Sequence, residues 1–481
     1  MKAIDHIKVA KNLIFSALCE GSSILLFFIM IFAARFLGDA DFGRYSFALA
    51  FVALFQVLAD WGLSYASTIE IARDPAKGKE YLGNILGFQL ISCILISILI
   101  ILISQFMNIP SLTRTIIYLQ VCIMILRSYK ITFRMLFKAY ERFDLEALTL
   151  FFERGSILII SFFVLYTGHG LIPFVLVFLG VRIIDLILTI TLSQKKVISA
   201  IPQFNFGLWK DLFKKGFPFV LSYTLIFIFF QIDTVMLGLM RTVQEVGWYN
   251  APFRIIEGLL VIPAIISYAL LPTLSQAHTF SKDAVISLYK RGSKYLLLLA
   301  LPLIVTCIIG AGKIIPLIFG SEYMPSIRIF QLLMPALLFL FLSNLGFTVI
   351  SCINRQKIVI TRALVCVGIN ITLNALLIPR YGAQGAALAT CITEAIFFMF
   401  FALYLAKHGY GFRWSPVSIK PVLLTILLGI IQFFVRDLSL ILFLFISFLV
   451  IGLLLFLLDI LDEREKQVIL HFFRKIVKSE G

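Results

Sequence analysis

No stretch of this chain reads G-x-x-x-x-G-K-[ST], no two cysteines form a C-x-x-C pair, and no polar segment is long enough to fold by itself. The first absence excludes nucleotide hydrolysis through a P-loop, whose glycine-rich backbone and lysine hold the phosphates. The second leaves the cysteines, all within apolar stretches, as packing residues rather than a redox pair or a thiolate metal site. Histidine is sparse, with His6, His169, His278, His408 and His471 falling one to a region, so no metal constellation is visible and no cofactor is expected. Also missing are the sizeable loops with catalytic carboxylates or basic residues that membrane glycosyltransferases, polymerases and ligases carry. The longest polar interval here is about twenty-five residues. The chain is not expected to be an enzyme.

Charge is scarce as well. Only 14% of residues are charged and 60% are hydrophobic, and the mean hydropathy is +1.01, far outside the range of soluble proteins. Apolar runs long enough to cross a bilayer recur along the whole chain, for example over 85–106, 296–318 and 440–458. None alternates with the period of a barrel strand, so they read as helices, which satisfy their own backbone in lipid. The expectation is an all-α polytopic membrane protein with about 14 transmembrane helices, the first two over 14–36 and 42–66 and the last two over 418–435 and 439–459. "MKAIDHIKVAKNLIF" carries charge without a small-residue cleavage site, so no cleavable signal peptide is expected.

With both termini cytoplasmic, Lys and Arg divide about thirty to roughly eight in favour of the cytoplasmic loops and tails. That asymmetry largely accounts for the net charge of +16, which is therefore no argument for nucleic acid as a partner. The expected location is the plasma (inner) membrane of a prokaryote. The C-terminal "DEREKQVILHFFRKIVK" places its apolar residues on one broad face and reads as an interfacial helix.

One pattern occurs twice. "FLGDADFGRYSFA" aligns with "MLGLMRTVQEVGWYNAPF", Gly43 over Gly247 and Tyr45 over Tyr249, and "TGHGLIPF" before the sixth span corresponds to "YGAQGAALAT" before the twelfth. An even number of spans separates the copies, so both halves enter the membrane from the same side. The expected organisation is an N-terminal six-helix lobe over 1–200, a parallel-related six-helix lobe over 201–410, two additional transmembrane helices over 411–460, and a cytoplasmic amphipathic tail over 461–481.

"AARFLGDADFGRYSFALAF", "LADWGLSYASTIEIAR", "QIDTVMLG", "VGWYNAPFRIIEGLLVIPAIISYALLPTLSQA" and "YGAQGAALAT" succeed one another in an order and spacing that resembles the multidrug, oligosaccharidyl-lipid and polysaccharide exporter superfamily, and within it the Wzx-like polysaccharide flippases. The likeness covers spans one to twelve. It implies a lipid-linked oligosaccharide as cargo, carried from the cytoplasmic to the outer leaflet by alternating access, with membrane lipids and a polysaccharide polymerase as partners. The stretch from Tyr249 also resembles the corresponding helix of lipid II flippases, in which an Arg with a Glu three residues later lines the central cavity.

Ionisable residues inside spans are costly and usually face a cavity or a partner. Arg254 and Glu257 share a helical face and read either as cavity lining or as a structural pair; a guanidinium offers a fork of donors suited to a diphosphate. Arg35 and Arg44, which flank the outer loop of the first repeat unit, are second-rank candidates that read also as snorkelling ends. Arg127, Lys130, Arg134 and Lys138 form a stripe along span four, able to guide an anion or to lie on anionic headgroups. Glu153 with Arg154, and Arg182 with Asp185, read as scaffold pairs. Asp233, and below it Asp60, are candidate carboxylates for coupling to H+ or Na+, or else structural groups. A cation-coupled multidrug antiporter of the same fold is the alternative, because Asp233, Glu257 and the abundant Phe would suit an organic cation.

Overall fold

The computed structural model describes Phe15, Cys19 and residues 21–353, 355, 357–411 and 416–460; the amphipathic stretch expected over 461–481 lies outside the described residues. Fifteen α-helices occur there, and no β-strand occurs among the described residues: α1 (Ser23–Asp60), α2 (Leu63–Arg73), α3 (Gly78–Phe106), α4 (Ser111–Ala139), α5 (Phe143–Tyr166), α6 (Leu171–Lys196), α7 (Phe206–Met240), α8 (Val243–Leu259), α9 (Val261–Phe280), α10 (Lys282–Phe319), α11 (Ser326–Cys352), α12 (Lys357–Tyr381), α13 (Ala383–Lys407), α14 (Pro416–Phe434) and α15 (Leu440–Leu457). Among the described residues, ten helical stretches are long and apolar enough to cross a membrane. Along α3, Cys93, Ile96 and Ile100 are buried while Ile94, Leu95, Ile98 and Leu102 are exposed. A helix that turns an apolar stripe outward belongs against lipid, since water would not tolerate so wide a patch. The protein is a multi-pass membrane protein.

Packing divides the chain into two compact units, one formed by Met1–Gly258, Ile318–Tyr323 and Ala363–Ala389, the other by Leu259–Leu317, Met324–Arg362 and Thr390–Gly481. In the second unit the polar groups act as pins. Gln432 on α14 donates to Thr306 Oγ1 on α10 at 2.6 Å and to Ser447 Oγ on α15 at 2.9 Å, tying the last two helices to α10 without charge. Beside them an apolar groove of about 600 Å³ runs between α10 and α14, lined by Val305, Ile309, Ile430 and Phe434.

The first unit holds the repeated motif. The loop expected between spans one and two shrinks to one residue, Gly38, whose φ of 77° and ψ of 175° interrupt α1. That region is closed to residues with a Cβ. The chain reverses there, as the packing on either side shows. Before the break, Cys19 clusters with Ala147 and Leu150 and Phe32 meets Phe162, so this segment runs along α5 in α5's own direction. After the break, Gln56 donates to Ser128 Oγ, and Gln89 bridges Asp60 and Thr132, so this segment runs along α4 in α4's direction. Because α4 and α5 are an antiparallel pair joined at Tyr140–Arg142, the two halves of α1 are antiparallel too.

In the second copy the turn is equally short. α7 ends at Met240 and α8 starts at Val243. Arg241 is extended there, and its guanidinium donates to the carbonyls of Ile378 and Pro379 at the end of α12. Glu245 accepts from the Ala383 amide at the start of α13, so the second correspondence, "YGAQGAALAT", sits against the second turn. Tyr45 stacks edge-on against Phe174 just after "TGHGLIP", on the equivalent helix of the first half.

The two turns also meet each other. A Cβ on Gly43 would overlap the Val243 carbonyl oxygen and stand 3.0 Å from the Gly247 amide; a Cβ on Gly247 would overlap the Asp39 carbonyl oxygen. Each glycine of the repeat therefore receives the backbone lying four residues before the other glycine, a reciprocal contact only side-chain-free residues permit. Trp248 closes it by donating to Asp39 Oδ2 at 2.7 Å.

Gly43→Ala and Gly247→Ala should each lower the melting temperature of detergent-purified protein by several degrees, reflecting the roughly 1–3 kcal/mol that overpacking costs. Gly180→Ala, whose Cβ would meet nothing within 4 Å, should not. Equal melting temperatures for the three variants would refute the reciprocal contact.

Candidate functional site

α8 leaves its turn as a helix interrupted chemically by Pro252, and just beyond that proline it carries Arg254 and Glu257. Arg254 donates to Glu257 Oε2 at 2.6 Å, the spacing of three placing both on one face. The two differ in burial, Arg254 being 14% and Glu257 33% exposed at the side chain. Arg254 Nε is buried without a hydrogen-bond partner among the described residues, so Glu257 occupies only part of the guanidinium fork. Tyr45, 2% exposed, packs instead against Phe174 and Phe178 of α6.

The stripe on α4 turns toward α5 and α6. Lys130, 3% exposed, contacts both Glu153, at 2.5 Å, and Asp185. Arg134 donates to Glu153 at 2.7 Å, Arg182 donates to the same carboxylate at 3.0 Å, and Lys138 pairs with Glu146. One acid, Glu153, thus gathers three cations. This corrects the expected scaffold pairs: neighbours in sequence diverge by about 100° around a helix, so Arg154 points away from Glu153 and donates to Ser22 Oγ and the Cys19 carbonyl. Arg182 takes Glu153 rather than Asp185. Arg127, at the end of the stripe, has no hydrogen-bond or ion-pair partner among the described residues and faces a niche with Gln56, Gln120 and Arg182.

The remaining candidates sit apart. Asp233, 3% exposed, accepts from Tyr249 Oη at 2.8 Å and from Asn374 Nδ2 at 2.5 Å, and Asn374 also reaches Asn370, one turn back on α12. Asp60 ends the second half of α1, where Trp61 and Gly62 adopt left-handed conformations. It accepts from the Ser64 hydroxyl and amide and from Gln89, the geometry of a cap on α2. Arg35 donates to the Ile318 carbonyl at 3.1 Å. Among the described residues no group of three or more His, Cys, Asp or Glu could hold a metal ion.

Residues 9–278, more than half the chain, match a family model described as "Polysaccharide biosynthesis protein". The chain belongs to that family. The match takes in α1 to α8, and so Arg127, Glu153, Arg254 and both copies of the repeated motif. The chain is 21% identical over 413 residues to "Probable low-salt glycan biosynthesis flippase Agl15" of Haloferax volcanii, with 85% of each chain covered. Its fold is similar to the structure "Lipid II flippase MurJ, inward closed conformation", at a TM-score of 0.77 and 17% identity over 97% of this chain and 100% of that one. It is also similar to an inward-facing multidrug resistance MATE family transporter of the MOP superfamily, at a TM-score of 0.63 and 14% identity over 80% and 95% of the two chains. The all-α polytopic architecture expected from the sequence is the one observed, and these proteins are named as flippases and transporters, not as enzymes.

Sequence reasoning missed Tyr45, Gln56, Gln120, Asn370 and Asn374 as members of these clusters. A signal for the last two was available: paired amides four residues apart in an apolar helix place two donors on one face.

Glu153→Gln should be among the most damaging single changes here, because it strips the shared carboxylate from three cations. Leaving buried charge uncompensated costs about 3–5 kcal/mol. The expected result is loss of the monodisperse peak in detergent gel filtration, partly restored by adding Lys130→Met. A Glu153→Gln protein as stable as wild type would show that the cluster is solvated rather than buried.

Proposed function

We propose that this protein is a flippase that moves an undecaprenyl-diphosphate-linked oligosaccharide from the cytoplasmic to the outer leaflet of a prokaryotic plasma membrane. The observation that carries the reading is Arg254, an intramembrane guanidinium only partly occupied by Glu257, on a wall whose other cations outnumber its carboxylates. A diphosphate fits such a fork bidentately, and Glu257 would hold it between cargoes. Arg127 would face the saccharide. Arg134 and Arg35 are tied to Glu153 and to Ile318, which leaves them the task of shaping the wall.

Movement would proceed by alternating access, two six-helix lobes over 1–200 and 201–410 rocking about the reciprocal glycine contact, with both termini cytoplasmic. The apolar groove between α10 and α14 suits a polyprenyl tail that stays in the bilayer while the headgroup crosses. Asp233, held by Tyr249 and Asn374, would couple transport to H+ or Na+. The product would be handed to a polysaccharide polymerase on the outer face.

The same carboxylate supports a second reading, a cation-coupled multidrug antiporter, whose pocket would bind an organic cation. The three cations gathered on the single carboxylate of Glu153 argue against it, since an organic cation would be repelled beside them.

Cells lacking the protein should accumulate polyprenyl-linked repeat units shielded from enzymes added outside. Arg254→Ala should restore export roughly 10–100-fold less well than wild type, as expected for lost charge-assisted hydrogen bonds of about 1.5–3 kcal/mol. If no repeat unit accumulates and sensitivity to cationic dyes rises instead, with Asp233→Asn the damaging change, the antiporter replaces the flippase.

A further inference from the structure

Glu153 is surrounded by cations, whereas Asp60 is met only by neutral groups. Among the described residues no Lys or Arg forms an ion pair with it; its partners are the Ser64 hydroxyl at 2.5 Å, the Ser64 amide at 3.3 Å and the Gln89 side chain at 2.9 Å. A carboxylate placed inside a membrane protein without a positive partner is costly.

The Gln89 amide is short of room for its own bonds. Its Nε2 lies 2.9 Å from Asp60 Oδ1, 2.7 Å from Thr132 Oγ1 and 3.3 Å from the Ser128 carbonyl oxygen. An amide nitrogen has two hydrogens, so three acceptors compete for two donors. At the other end of the same amide, Gln89 Oε1 is buried and accepts no hydrogen bond among the described residues, in a side chain that is 0% exposed. Ser64 Oγ completes the group, 2.8 Å from Thr132 Oγ1. Four elements thus contribute oxygens to one place: the end of α1, then α2, α3 and α4. The network holds one acceptor too many and lacks a positive centre.

Turning the amide over cures both faults if a cation is present. The nitrogen and oxygen of a carboxamide are close in size, so the turn puts Oε1 where Nε2 now stands. Asp60 Oδ1, Thr132 Oγ1, the Ser128 carbonyl and Gln89 Oε1 then converge, with Ser64 Oγ beside them, and an ion takes the place that the amide hydrogens hold. A proton on Asp60 would satisfy the turned Oε1 alone and leave the Ser128 carbonyl facing another oxygen. One carboxylate among neutral oxygens balances a single charge, whereas calcium draws six to eight oxygens with several carboxylates among them. The ligands carry no nitrogen or sulfur that would select a transition metal. Access is by way of Asp60, which is half-buried while Ser64, Gln89, Ser128 and Thr132 are buried.

We infer that Asp60, Ser64, Gln89, Thr132 and the Ser128 carbonyl form a binding site for a sodium ion. It shares no partner with Asp233, which is held by Tyr249 and Asn374. The inference goes beyond the coupling role proposed for Asp233 and depends on no cargo.

The test follows thermal unfolding of full-length protein in lipid nanodiscs by tryptophan fluorescence, Trp61 being the neighbour of Asp60 in sequence. Sodium chloride is titrated against choline chloride at constant ionic strength, with potassium chloride as a second series. The melting temperature of wild type should rise by several degrees with sodium and level off, as a ligand of the folded state requires. Thr132→Val should raise the half-saturating concentration roughly tenfold, the equivalent of about 1.4 kcal/mol for one lost oxygen. Asp60→Asn should abolish the response and Asp233→Asn should retain it. Gln89→Glu keeps the oxygen and adds charge, so it should melt lower than wild type in choline and gain more from sodium; it decides the matter together with Thr132→Val if Asp60→Asn does not fold. Equal melting temperatures in all three salts would overturn the site, as would a sodium response that survives Asp60→Asn or Thr132→Val unchanged. A response lost in Asp233→Asn alone would place the ion there instead. Stabilisation by acid rather than by sodium, abolished in Asp60→Asn, would make the ligand a proton and overturn the sodium assignment. Each of these results leaves the flippase reading to its own test, since no lipid-linked glycan enters the measurement.

Discussion

The first unit is organised around one steric fact: Gly43 and Gly247 each admit the backbone of the other's turn. No other residue type leaves room for a carbonyl oxygen at that distance, so the approach of the two copies is fixed by the absence of two methyl groups. The helix beyond each glycine inherits that registration. Tyr45 stands two residues beyond one glycine and Arg254 seven beyond the other, so the seam fixes where each helix carries its polar side chain. A duplicated motif thus supplies more than two similar hairpins; it supplies the seam along which they meet.

Charge in this unit obeys a different constraint. Taking an ion out of water costs several kcal/mol, recovered only where geometry and additional hydrogen bonds are good. Glu153 meets that demand by accepting from Lys130, Arg134 and Arg182, and Lys130 shares itself with Asp185. The cluster ties α4, α5 and α6 together and sets the positive potential of the niche beside it. Because three cations lean on one carboxylate, the wall remains basic even though most of its members are paired, and a basic wall in low dielectric attracts an anion more strongly than the same groups would in water.

Much of the architecture was legible because lipid makes severe demands on sequence. Apolar length marked the ten helical stretches long enough to cross a membrane among the described residues, and the echo of Gly43 in Gly247 marked two turns that meet. The hairpin within α1 was legible only in outline: the apparent loop over 37–41 proves to be helix on either side of Gly38, because one glycine in a conformation closed to others can reverse the chain alone. Partners of charged residues were read least well. Glu153 and Arg154 look like a pair on paper but point about 100° apart on a helix, and Glu153 finds its cations on α4 and α6, elements whose adjacency no local pattern encodes. Neutral amides were overlooked for a similar reason: Gln120, Asn370 and Asn374 carry no charge to draw notice, and only their convergence with Arg127 or Asp233 gives them meaning.

Helix breaks explain why so many intramembrane charges are not available to a cargo. Each break frees amides and carbonyls that lipid cannot satisfy, and here ionic side chains meet that need. Asp60 accepts from the Ser64 amide where α1 gives way to α2. Arg35 covers the Ile318 carbonyl, Arg241 those of Ile378 and Pro379, and Glu245 the Ala383 amide. These four are occupied by the backbone, and Lys130, Arg134 and Arg182 are occupied by Glu153. Among the half-buried cations of this unit there remain Arg254, with part of its guanidinium unused, and Arg127, with no hydrogen-bond partner among the described residues. A side chain whose charge is neither solvated nor committed to the fold is stable in a membrane only if a mobile partner or water periodically satisfies it. Those two guanidiniums are the ones the fold leaves least committed, and the proposed transport role falls to them.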